Sequence, residues 1–425
     1  MLNQNSIRAV DQSFFGKTFR KPLYDSYCFS GIPNTIQNLL RGTKHPGLPL
    51  DVLPKTAQQY DKIIVFLIDG FGWVFFNRFH HQYPWLQRFV NEGVTSKLTT
   101  QFPSTTSANL TTIHSGQSIN EHGLYEWFCY EPTVDRLIAP LLFSFAGDKQ
   151  RETVREAGID PRNIFPKQTF YQQLAEQNIP SYIFQYAGYT PSTYSDILFA
   201  GANVLPYQSL EDGARQLAET IQQTEGPAYY FFYNDEIDSA SHKHGMQSPE
   251  TLAAAERTFT ILEQQVYSAL RGNMQNTILV QTADHGQTDL TPAATVYINT
   301  IFPEIEKYIQ RNKAGELLIP GGGSARDLFL HIQPIMVATV IKKLKSLLNG
   351  VAEVYHIDEL LNQGLFGLPV YPSFRERLGN VVILPFAGQG VYWFEEGRFE
   401  QTLYGSHGGL TPEETDIPFL TVEIL

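Results

Sequence analysis

Cysteine is nearly absent from this chain of 425 residues, which contains only Cys28 and Cys129. Two cysteines argue against a disulfide framework and against a cysteine-based metal site. Long apolar segments are also missing: no run approaches the length that spans a membrane, and the first residues lack a run of signal-peptide length. We therefore expect a soluble, cytoplasmic protein without a membrane partner.

Positive charge is the second scarce feature. The formal net charge is −12, and no cluster of lysine and arginine stands out. This pattern argues against a surface that binds a nucleic-acid polymer. It is compatible with a small anionic substrate, because a bound metal ion can supply positive charge locally.

Apolar residues are plentiful, at 42% of the chain, which is ample for a core. Three apolar runs of strand length each lead into acidic or histidine-bearing residues, and helical patterns separate them. Continuous apolar runs are typical of strands that are buried on both faces of a parallel sheet. The alternation predicts an α/β fold with a doubly wound, mostly parallel sheet flanked by helices. The three runs are Lys62–Ile68, Ala228–Tyr233 and Asn276–Gln281.

The segment 290–400 interrupts this alternation. It contains Pro- and Gly-rich pieces, a long helical pattern at Pro334–Leu348 and mixed β material. We interpret it as an inserted α+β cap subdomain. The metal-binding α/β core would then comprise 61–289 and 401–425, and residues 1–60 would form a lead-in segment that wraps around the outside of the core.

Six potential metal ligands follow or border the predicted strands, where open α/β sheets bind their ligands. Each residue alone could be a helix cap or an exposed loop side chain. Six of them on four separate strand-end loops are hard to explain by capping. Imidazole together with carboxylate suits zinc, manganese or iron, and zinc is the first choice. The six residues are Asp69, Asp238, His242, Asp284, His285 and His407.

A hydroxyl-rich stretch at Pro103–Gly116, PSTTSANLTTIHSG, contains the candidate nucleophile Thr106. A helical pattern begins at Ser107, so Thr106 lies at or beside the N-cap, where backbone amides and the helix dipole favour an anionic substrate. A threonine hydroxyl needs activation by a base or a metal. Asn109 could donate its amide to a phosphoryl oxygen. Spacing alone leaves Thr105 and Ser107 open as alternative nucleophiles.

In their order and rough spacing, these motifs resemble the nucleotide pyrophosphatase/phosphodiesterase family of the alkaline phosphatase superfamily. ADHG alone is a weak signal, but the ordered set is specific. The resemblance implies an alkaline-phosphatase-like fold. It rests on the strand followed by DGFG at Asp69, PSTTSAN…IHSG at Pro103–Gly116, DSASHKHG at Asp238–Gly245, ADHG at Ala283–Gly286 and GSHGG at Gly405–Gly409.

The resemblance also implies a role for each matching residue. Thr106 would be the nucleophile and a ligand of the second metal ion, and Asn109 would bind the phosphate. The implied reaction hydrolyses a phosphodiester or nucleotide-type substrate by double displacement, through a phospho-threonine ester. Two divalent ions, Zn²⁺ or alternatively Mn²⁺, would be held by Asp238, His242 and His407 and by Asp69, Asp284 and His285.

The sequence departs from the family in one respect. The usual Thr-Phe-Pro-Asn is Thr-Ser-Ala-Asn at Thr106–Asn109, so the aromatic side chain after the nucleophile is missing. Phe71 is the candidate to stack a leaving group in its place. Three alternatives stay open: cleavage of a C–P bond as in phosphonoacetate hydrolase, phosphomonoesterase activity, and a non-catalytic metal-binding relative. In each enzymatic case the expected partner is a small phosphorylated substrate.

Overall fold

A seven-stranded sheet forms the centre of the computed structural model, which describes residues 1–54, 59–272 and 274–424. Residues 55–58 of the predicted lead-in segment, and residues 273 and 425 of the predicted core, lie outside the described residues. In chain order the strands of this sheet are β1 (Lys62–Ile68), β2 (Val94–Thr99), β3 (Ser181–Tyr186), β4 (Asn203–Tyr207), β5 (Ala228–Asn234), β6 (Thr277–Thr282) and β7 (Asp416–Ile424).

The apolar run that forms β1 becomes the central strand, with β5 and β6 as its parallel neighbours. All seven of its side chains are buried, as expected for a strand covered on both faces. The lateral order of the sheet is β2-β7-β6-β1-β5-β3-β4. β7 runs antiparallel to both of its neighbours, β6 and β2, and the other described strands of this sheet share one direction. The predicted mostly parallel, doubly wound sheet is therefore confirmed.

Helices connect and flank these strands, and none in the described ranges is both long and apolar enough to cross a membrane. The longer helices are α1 (Gln4–Asp11), α2 (Ile32–Arg41), α3 (Trp73–Phe79), α4 (Pro84–Glu92), α5 (Thr106–Ser115), α6 (Leu210–Gln223), α7 (Glu236–His244), α8 (Pro249–Ile261) and α9 (Val337–Leu347). Shorter helices lie at Ile119–His122, Phe170–Ala175, Thr193–Leu198, Ser268–Leu270, Ile298–Ile301, Ile357–Asn362, Pro372–Arg377 and Pro412–Thr415.

The ends of α5 show why this helix forms where the sequence predicts it. Thr105 is the N-cap, and its Oγ1 accepts a hydrogen bond from the amide of Ala108 at 3.3 Å. Gly116 ends the helix in the left-handed region, with φ at 74°, which costs glycine little. These two signals place Thr106 at the first position of the helix.

The predicted cap is built on a four-stranded antiparallel sheet. Its strands are, in lateral order, Gly322–Gly323, Leu328–Leu330, Val381–Pro385 and Ala352–His356. The long helix predicted beside it is observed as α9. The cap core also includes Leu137 from a small three-stranded sheet in 129–145, and Phe128 and Ala146, which directly flank that sheet. The cap therefore shares its core with a segment that the sequence analysis assigned to the α/β core.

A fully buried ion pair fastens the cap to the central sheet. Arg326 of the cap donates to Glu414 through Nε at 2.8 Å and through Nη2 at 2.7 Å, and both side chains have no exposed surface. Glu414 lies in the short helix that precedes β7 and also accepts hydrogen bonds from the amide of Gly409 and the hydroxyl of Thr411. Removal of either charge would leave the other buried and unpaired.

We predict that Arg326→Leu lowers the free energy of unfolding by about 3–5 kcal/mol, because Glu414 would stay buried without its partner. Urea unfolding of the two proteins measures this difference. Arg215→Leu is the matched control, since Arg215 pairs with Asp212 on the surface with 56% of its side chain exposed. This control should leave the unfolding midpoint unchanged. Equal effects of the two substitutions would contradict the structural role of the buried pair.

Candidate active site

The predicted ligands meet at one edge of the central sheet. Asp69 directly follows β1, and Asp284 and His285 follow β6. His407 precedes β7, and because β7 is antiparallel its first residues lie at the edge where β1 and β6 end. This is the edge at which open α/β sheets bind ligands.

Asp238 and His242 lie on α7, whereas the sequence analysis assigned them to a loop. The helix begins directly after β5 with Glu236 and Asp238 in its first turn, where acidic side chains interact well with the helix dipole. Residues four apart share a helix face. His242 Nε2 accordingly lies 3.2 Å from Asp238 Oδ2, so the spacing that looked like a loop motif is a helical one.

The ligand atoms form two overlapping groups, and within each group they lie within 4.8 Å of one another. His285 belongs to both, with its Nε2 at 3.2 Å from Asp69 Oδ1 and 3.3 Å from Asp284 Oδ2. Its ring stacks on that of His407 with centroids 3.5 Å apart. His242 joins through its contact with Asp238, so the structure brings all six predicted residues together. The first group is Asp69, Asp284 and His285, and the second is Asp238, His285 and His407.

The three histidines are oriented by backbone carbonyl groups. A carbonyl oxygen only accepts hydrogen bonds, so the Nδ1 that contacts it must carry the proton. Each Nε2 is then left free to bind a metal ion, the arrangement in which outer contacts orient metal ligands. The pairs are His242 with Gly405 at 2.7 Å, His285 with Gly286 at 3.0 Å and His407 with Ser104 at 3.0 Å.

Two carboxylate oxygens test whether a cation fits this site. Asp69 Oδ1 and Asp284 Oδ2 are buried and have no hydrogen-bond partner among the described residues. Buried charged oxygens without partners are costly, and buried charges in proteins are paired or coordinate metals. The other oxygen of each carboxylate has a donor. Asp69 Oδ2 accepts a hydrogen bond from the hydroxyl of Tyr233, and Asp284 Oδ1 accepts one from the amide of Gly70 at 3.2 Å. The two free oxygens and the free histidine nitrogens suit divalent metal ions.

The charges of the site also favour a bound divalent cation. Burial raises the pKa of Asp284 well above its usual range, and the neighbouring charge of Asp69 raises it further. Burial alone would lower the pKa of His285, but the charges of Asp284 and Asp69 outweigh it and raise this pKa to about 10. The carboxylates thus demand positive charge. A divalent cation supplies it and lets His285 act as a neutral ligand.

The three candidate nucleophiles have different surroundings. Thr106 Oγ1 lies 3.0 Å from His285 Nε2. Thr105 caps α5 and donates its hydroxyl to the carbonyl of Tyr125 at 2.9 Å. The hydroxyl of Ser107 is buried, and no hydrogen-bond partner lies near it in the described residues. Of the three, only the hydroxyl of Thr106 contacts a predicted ligand.

The side chain of Asn109 is not available to bind a phosphate group. It is fully buried, and its amide nitrogen donates to the carbonyls of Asp284 at 2.8 Å and Thr105 at 3.2 Å. Its oxygen accepts from Gln101 at 3.1 Å. Both amide hydrogens are therefore used inside the protein. The structure gives Asn109 a different task from the predicted one: it ties the first turn of α5 to the loop that carries the metal ligands.

Phe71 also differs from the prediction. Its ring has no exposed surface and packs against Phe75, Phe79 and Phe259, with centroids 6.2, 6.5 and 4.9 Å away. A ring enclosed by core aromatic side chains offers no face to a substrate. The predicted stacking on a leaving group is corrected accordingly: Phe71 is a core residue beneath the site.

Three residues that the sequence analysis did not single out hold the ligands in place. The hydroxyl of Tyr233 donates to Asp69, and the amide of Gln287 donates to Asp238. Ser104 accepts from His407 through its carbonyl. Gln287 directly follows the ADHG motif and Ser104 lies within the PSTTSAN motif, which is a usable signal. Tyr233 is hidden within the aromatic run of β5, where nothing distinguishes it from its neighbours.

A cavity of about 630 Å³ opens beside Thr106 and the metal ligands. Apolar side chains from 124–180 form one wall, among them Trp127 and Leu141, and cap residues such as Tyr392 form another. Two arginines, Arg151 and Arg398, also line it. The cavity is therefore much larger than a phosphate group, and part of its wall comes from the two segments that carry no recognisable motif.

We predict that Asp284→Asn removes at least one metal ion from the purified protein, because the substitution takes away a charged oxygen that accepts no hydrogen bond from the described residues. Metal content measured by mass spectrometry after dialysis checks this result. Asp358→Asn, an exposed residue at 56%, is the control and should leave the metal content unchanged. Full metal content in Asp284→Asn would remove this residue from the site.

We predict that Tyr233→Phe weakens metal binding by about 10–100-fold, since Asp69 would lose the hydrogen bond that orients it. Competition with a chelator of known affinity measures the change. The matched control is Tyr230→Phe on the same strand, whose hydroxyl has no hydrogen-bond partner in the described residues. Equal metal affinity of the two variants would show that the Tyr233 hydroxyl does not orient Asp69.

Comparisons with known proteins identify the family of this chain. A family model described as type I phosphodiesterase/nucleotide pyrophosphatase matches residues 63–409. Among curated proteins, the ectonucleotide pyrophosphatase/phosphodiesterase family member 3 of Rattus norvegicus is 24% identical over 267 residues. That match spans 61% of this chain but only 29% of the relative's length.

Two solved structures share the fold. Murine ectonucleotide pyrophosphatase/phosphodiesterase 5, as an inactive threonine-to-alanine variant in complex with AMP, superposes with a TM-score of 0.60 at 17% identity, over 85% of this chain and 88% of that chain. Phosphonoacetate hydrolase from Sinorhizobium meliloti 1021, in complex with phosphonoacetate, superposes with a TM-score of 0.60 at 16% identity, over 88% and 93%. With the family match over residues 63–409, the chain belongs to the type I phosphodiesterase/nucleotide pyrophosphatase family, whose members are hydrolases of phosphoester bonds.

Proposed function

We propose that this protein is a two-metal phosphodiesterase or pyrophosphatase that hydrolyses a small nucleotide-type substrate through a phospho-threonine intermediate. The observation that carries the proposal is the position of Thr106. Its hydroxyl lies at the first position of α5, 3.0 Å from His285 Nε2, and that nitrogen contacts the oxygens of Asp69 and Asp284 that accept no hydrogen bond from the described residues. A hydroxyl in such a place is both oriented and able to be activated.

The donor set supports two ions of the zinc type, with manganese as the alternative. Three carboxylates and three imidazoles suit these metals better than Mg²⁺ or Ca²⁺, which prefer oxygen ligands alone. When bound, such a pair of ions stabilises the attacking and leaving oxygens of an in-line displacement at phosphorus. The proposed ligands are Asp238, His242 and His407 for one ion and Asp69, Asp284, His285 and Thr106 for the other.

The residues of the chain would act in two steps. In the first, Thr106 Oγ1 attacks the phosphorus, so that a bond forms from threonine to phosphorus and the bond to the leaving group breaks. In the second, water attacks the same phosphorus and releases Thr106. The N-terminus of α5 supports both steps, because its free amides and dipole favour an anionic group there. Asn109 keeps this helix end aligned with the Asp284 loop.

The cavity supports a substrate with an organic group attached to phosphate. Its volume of about 630 Å³ and its aromatic walls, including Trp127 and Phe128, leave room for such a group. The structures of two similar proteins contain AMP and phosphonoacetate, both small phosphorus-containing anions. A small phosphorylated substrate is the class that these observations share.

The second of these structures also supports an alternative, the cleavage of a C–P bond. Phosphonoacetate hydrolase superposes as well as the murine phosphodiesterase relative does. Substrate assays separate the two functions. The panel consists of bis-p-nitrophenyl phosphate, p-nitrophenyl phosphate, ATP and phosphonoacetate, each with added Zn²⁺ or Mn²⁺. Fastest turnover of the diester or of ATP supports the proposal, and turnover of phosphonoacetate alone would replace it by the alternative.

We predict that Thr106→Ala lowers turnover of the best substrate by at least about 10⁴-fold while both metal ions stay bound, because the variant lacks the attacking oxygen. Ser107→Ala is the matched control at the neighbouring hydroxyl and should keep turnover within about tenfold. Acid quenching of the wild-type enzyme with ³²P-labelled substrate should leave label on Thr106. Loss of turnover in Ser107→Ala instead, or label on another residue, would move the nucleophile.

A further inference from the structure

Permanent positive charge is scarce in the cavity beside Thr106. Of the described residues that line it, only Arg151 and Arg398 carry a guanidinium or ammonium group. Arg398 is neutralised in part, because its Nη1 lies 3.2 Å from Glu395 Oε1. Arg151, by contrast, has no carboxylate oxygen within 4.0 Å in the described parts of the chain. Its charge is therefore available to a bound anion.

The acidic neighbour of Arg151 in the chain makes its contacts elsewhere. Glu152 accepts a hydrogen bond from the amide of Thr193 at 2.9 Å and another from Arg155 Nε at 2.7 Å. These contacts hold the carboxylate at the start of the short helix Thr193–Leu198. The loop is thus fastened by its acid, and its adjacent arginine is left without an acidic partner.

The guanidinium of Arg151 is held just beyond an end of the central sheet. Its Nη1 donates to the carbonyl of Gly188 at 3.0 Å, and its Cζ lies 5.8 Å from the centroid of the Tyr189 ring. Gly188 follows β3 by two residues. The hydroxyl of Tyr189 donates to Asp235, which directly follows β5. An arginine has five N–H donors, and the others of this group find no acceptor among the described residues.

The order and register of the strands give the distance from this group to the metal ligands. β1, β5 and β3 are consecutive parallel strands, and such neighbours lie about 4.8 Å apart. Phe184 is level with Phe66 through β5, so Gly188 and Asp69 lie at the same edge of the sheet. Arg151 is therefore about two strand spacings, or about 10 Å, from Asp69. An anion bound there is distinct from a phosphate group at the metal ligands.

We propose that Arg151 forms a subsite for a second anionic group of the substrate, a phosphate or a carboxylate at the far end of its organic part. The inference rests on the proposed function, which places the reacting phosphate group beside Thr106. A guanidinium binds either anion through two parallel hydrogen bonds. The cavity of about 630 Å³ contains both positions and has room for the organic part between them. The preferred substrate is then an ester with an anion at each end.

The remaining charges of the cavity favour this single position for the second anion. Asp235 and Glu400 also line the cavity, and each repels an anion placed next to it. Glu126 lines it as well and is hydrogen-bonded to Asp327. Burial raises the pKa of Glu126 to about 7, so these two carboxyl groups share a proton and offer no cation. Arg151 therefore also fixes the direction in which the substrate lies.

Binding of three ligands with the same carbon chain tests the subsite without turnover. They are hexyl phosphate, 1,6-hexanediol bisphosphate and 6-phosphonooxyhexanoate, each titrated by calorimetry into Thr106→Ala protein supplied with Zn²⁺. We expect at least one ligand with a second anion to bind about tenfold or more tightly than hexyl phosphate, as charge-assisted hydrogen bonds predict. A gain with only one of the two identifies the second anion as phosphate or as carboxylate.

The same titrations with arginine variants assign the gain to its residue. In Arg151→Gln the gain should fall below about twofold, while hexyl phosphate binds as before. Arg151→Lys keeps the charge but not the two parallel donors, so it should retain part of the gain. The control is Arg162→Gln, an arginine of the same segment with 74% of its side chain exposed, which should keep the whole gain.

Three results would overturn the subsite. The first is equal affinity for the three ligands, and the second is a gain that persists in Arg151→Gln. The third is an equal gain of 1,3-propanediol bisphosphate over propyl phosphate, because this pair is too short to join the two positions and would report general attraction of charge. Failure of the proposed function has a different result: hexyl phosphate itself would not bind, whereas a failed subsite leaves its binding intact.

Discussion

The packing of three buried carboxylates at the end of the central sheet is the constraint on which the rest of the site depends. Asp69, Asp238 and Asp284 all lie close to His285, whose pKa rises to about 10 under the influence of their charges. In a protein interior such charges are tolerated only when paired or bound to metal. The parallel sheet makes the arrangement possible because its strands end together, and the reversed β7 brings His407 to the same edge.

A second layer of contacts turns this cluster into a defined geometry. Each histidine is held by a carbonyl group, and Asp69 and Asp238 are held by the side chains of Tyr233 and Gln287. Ser104 makes three of these contacts. Its carbonyl accepts a hydrogen bond from His407, and its hydroxyl accepts one from the amide of Gly408 and donates one to the carbonyl of Gly409. Ser104 lies two residues before Thr106, so the proposed nucleophile and a proposed ligand from the far end of the chain are positioned by the same turn.

Much of the fold and of the ligand set follows from local sequence signals. Continuous apolar runs predicted β1, β5 and β6, and most of the predicted ligands, which the structure brings together, follow these strands. The errors share one cause: they concern contacts between distant segments. Phe71 follows a ligand-bearing strand but packs into the core, and the amide of Asn109 is used by the loop of Asp284. No periodicity reports such contacts, nor the approach of residues 201 positions apart such as Glu126 and Asp327.

The cap is part of the site rather than a cover over it. Through Arg326 it holds Glu414, and Glu414 accepts a hydrogen bond from the amide of Gly409, two residues after His407. The loop that carries His407 is thus fixed from both sides, by Ser104 of the core and by the cap. The same cap supplies Ser324 and Tyr392 to the cavity wall. If the proposed metal site is correct, a change in the cap that altered substrate preference would also act on the position of His407, because the same cap contacts hold the His407 loop.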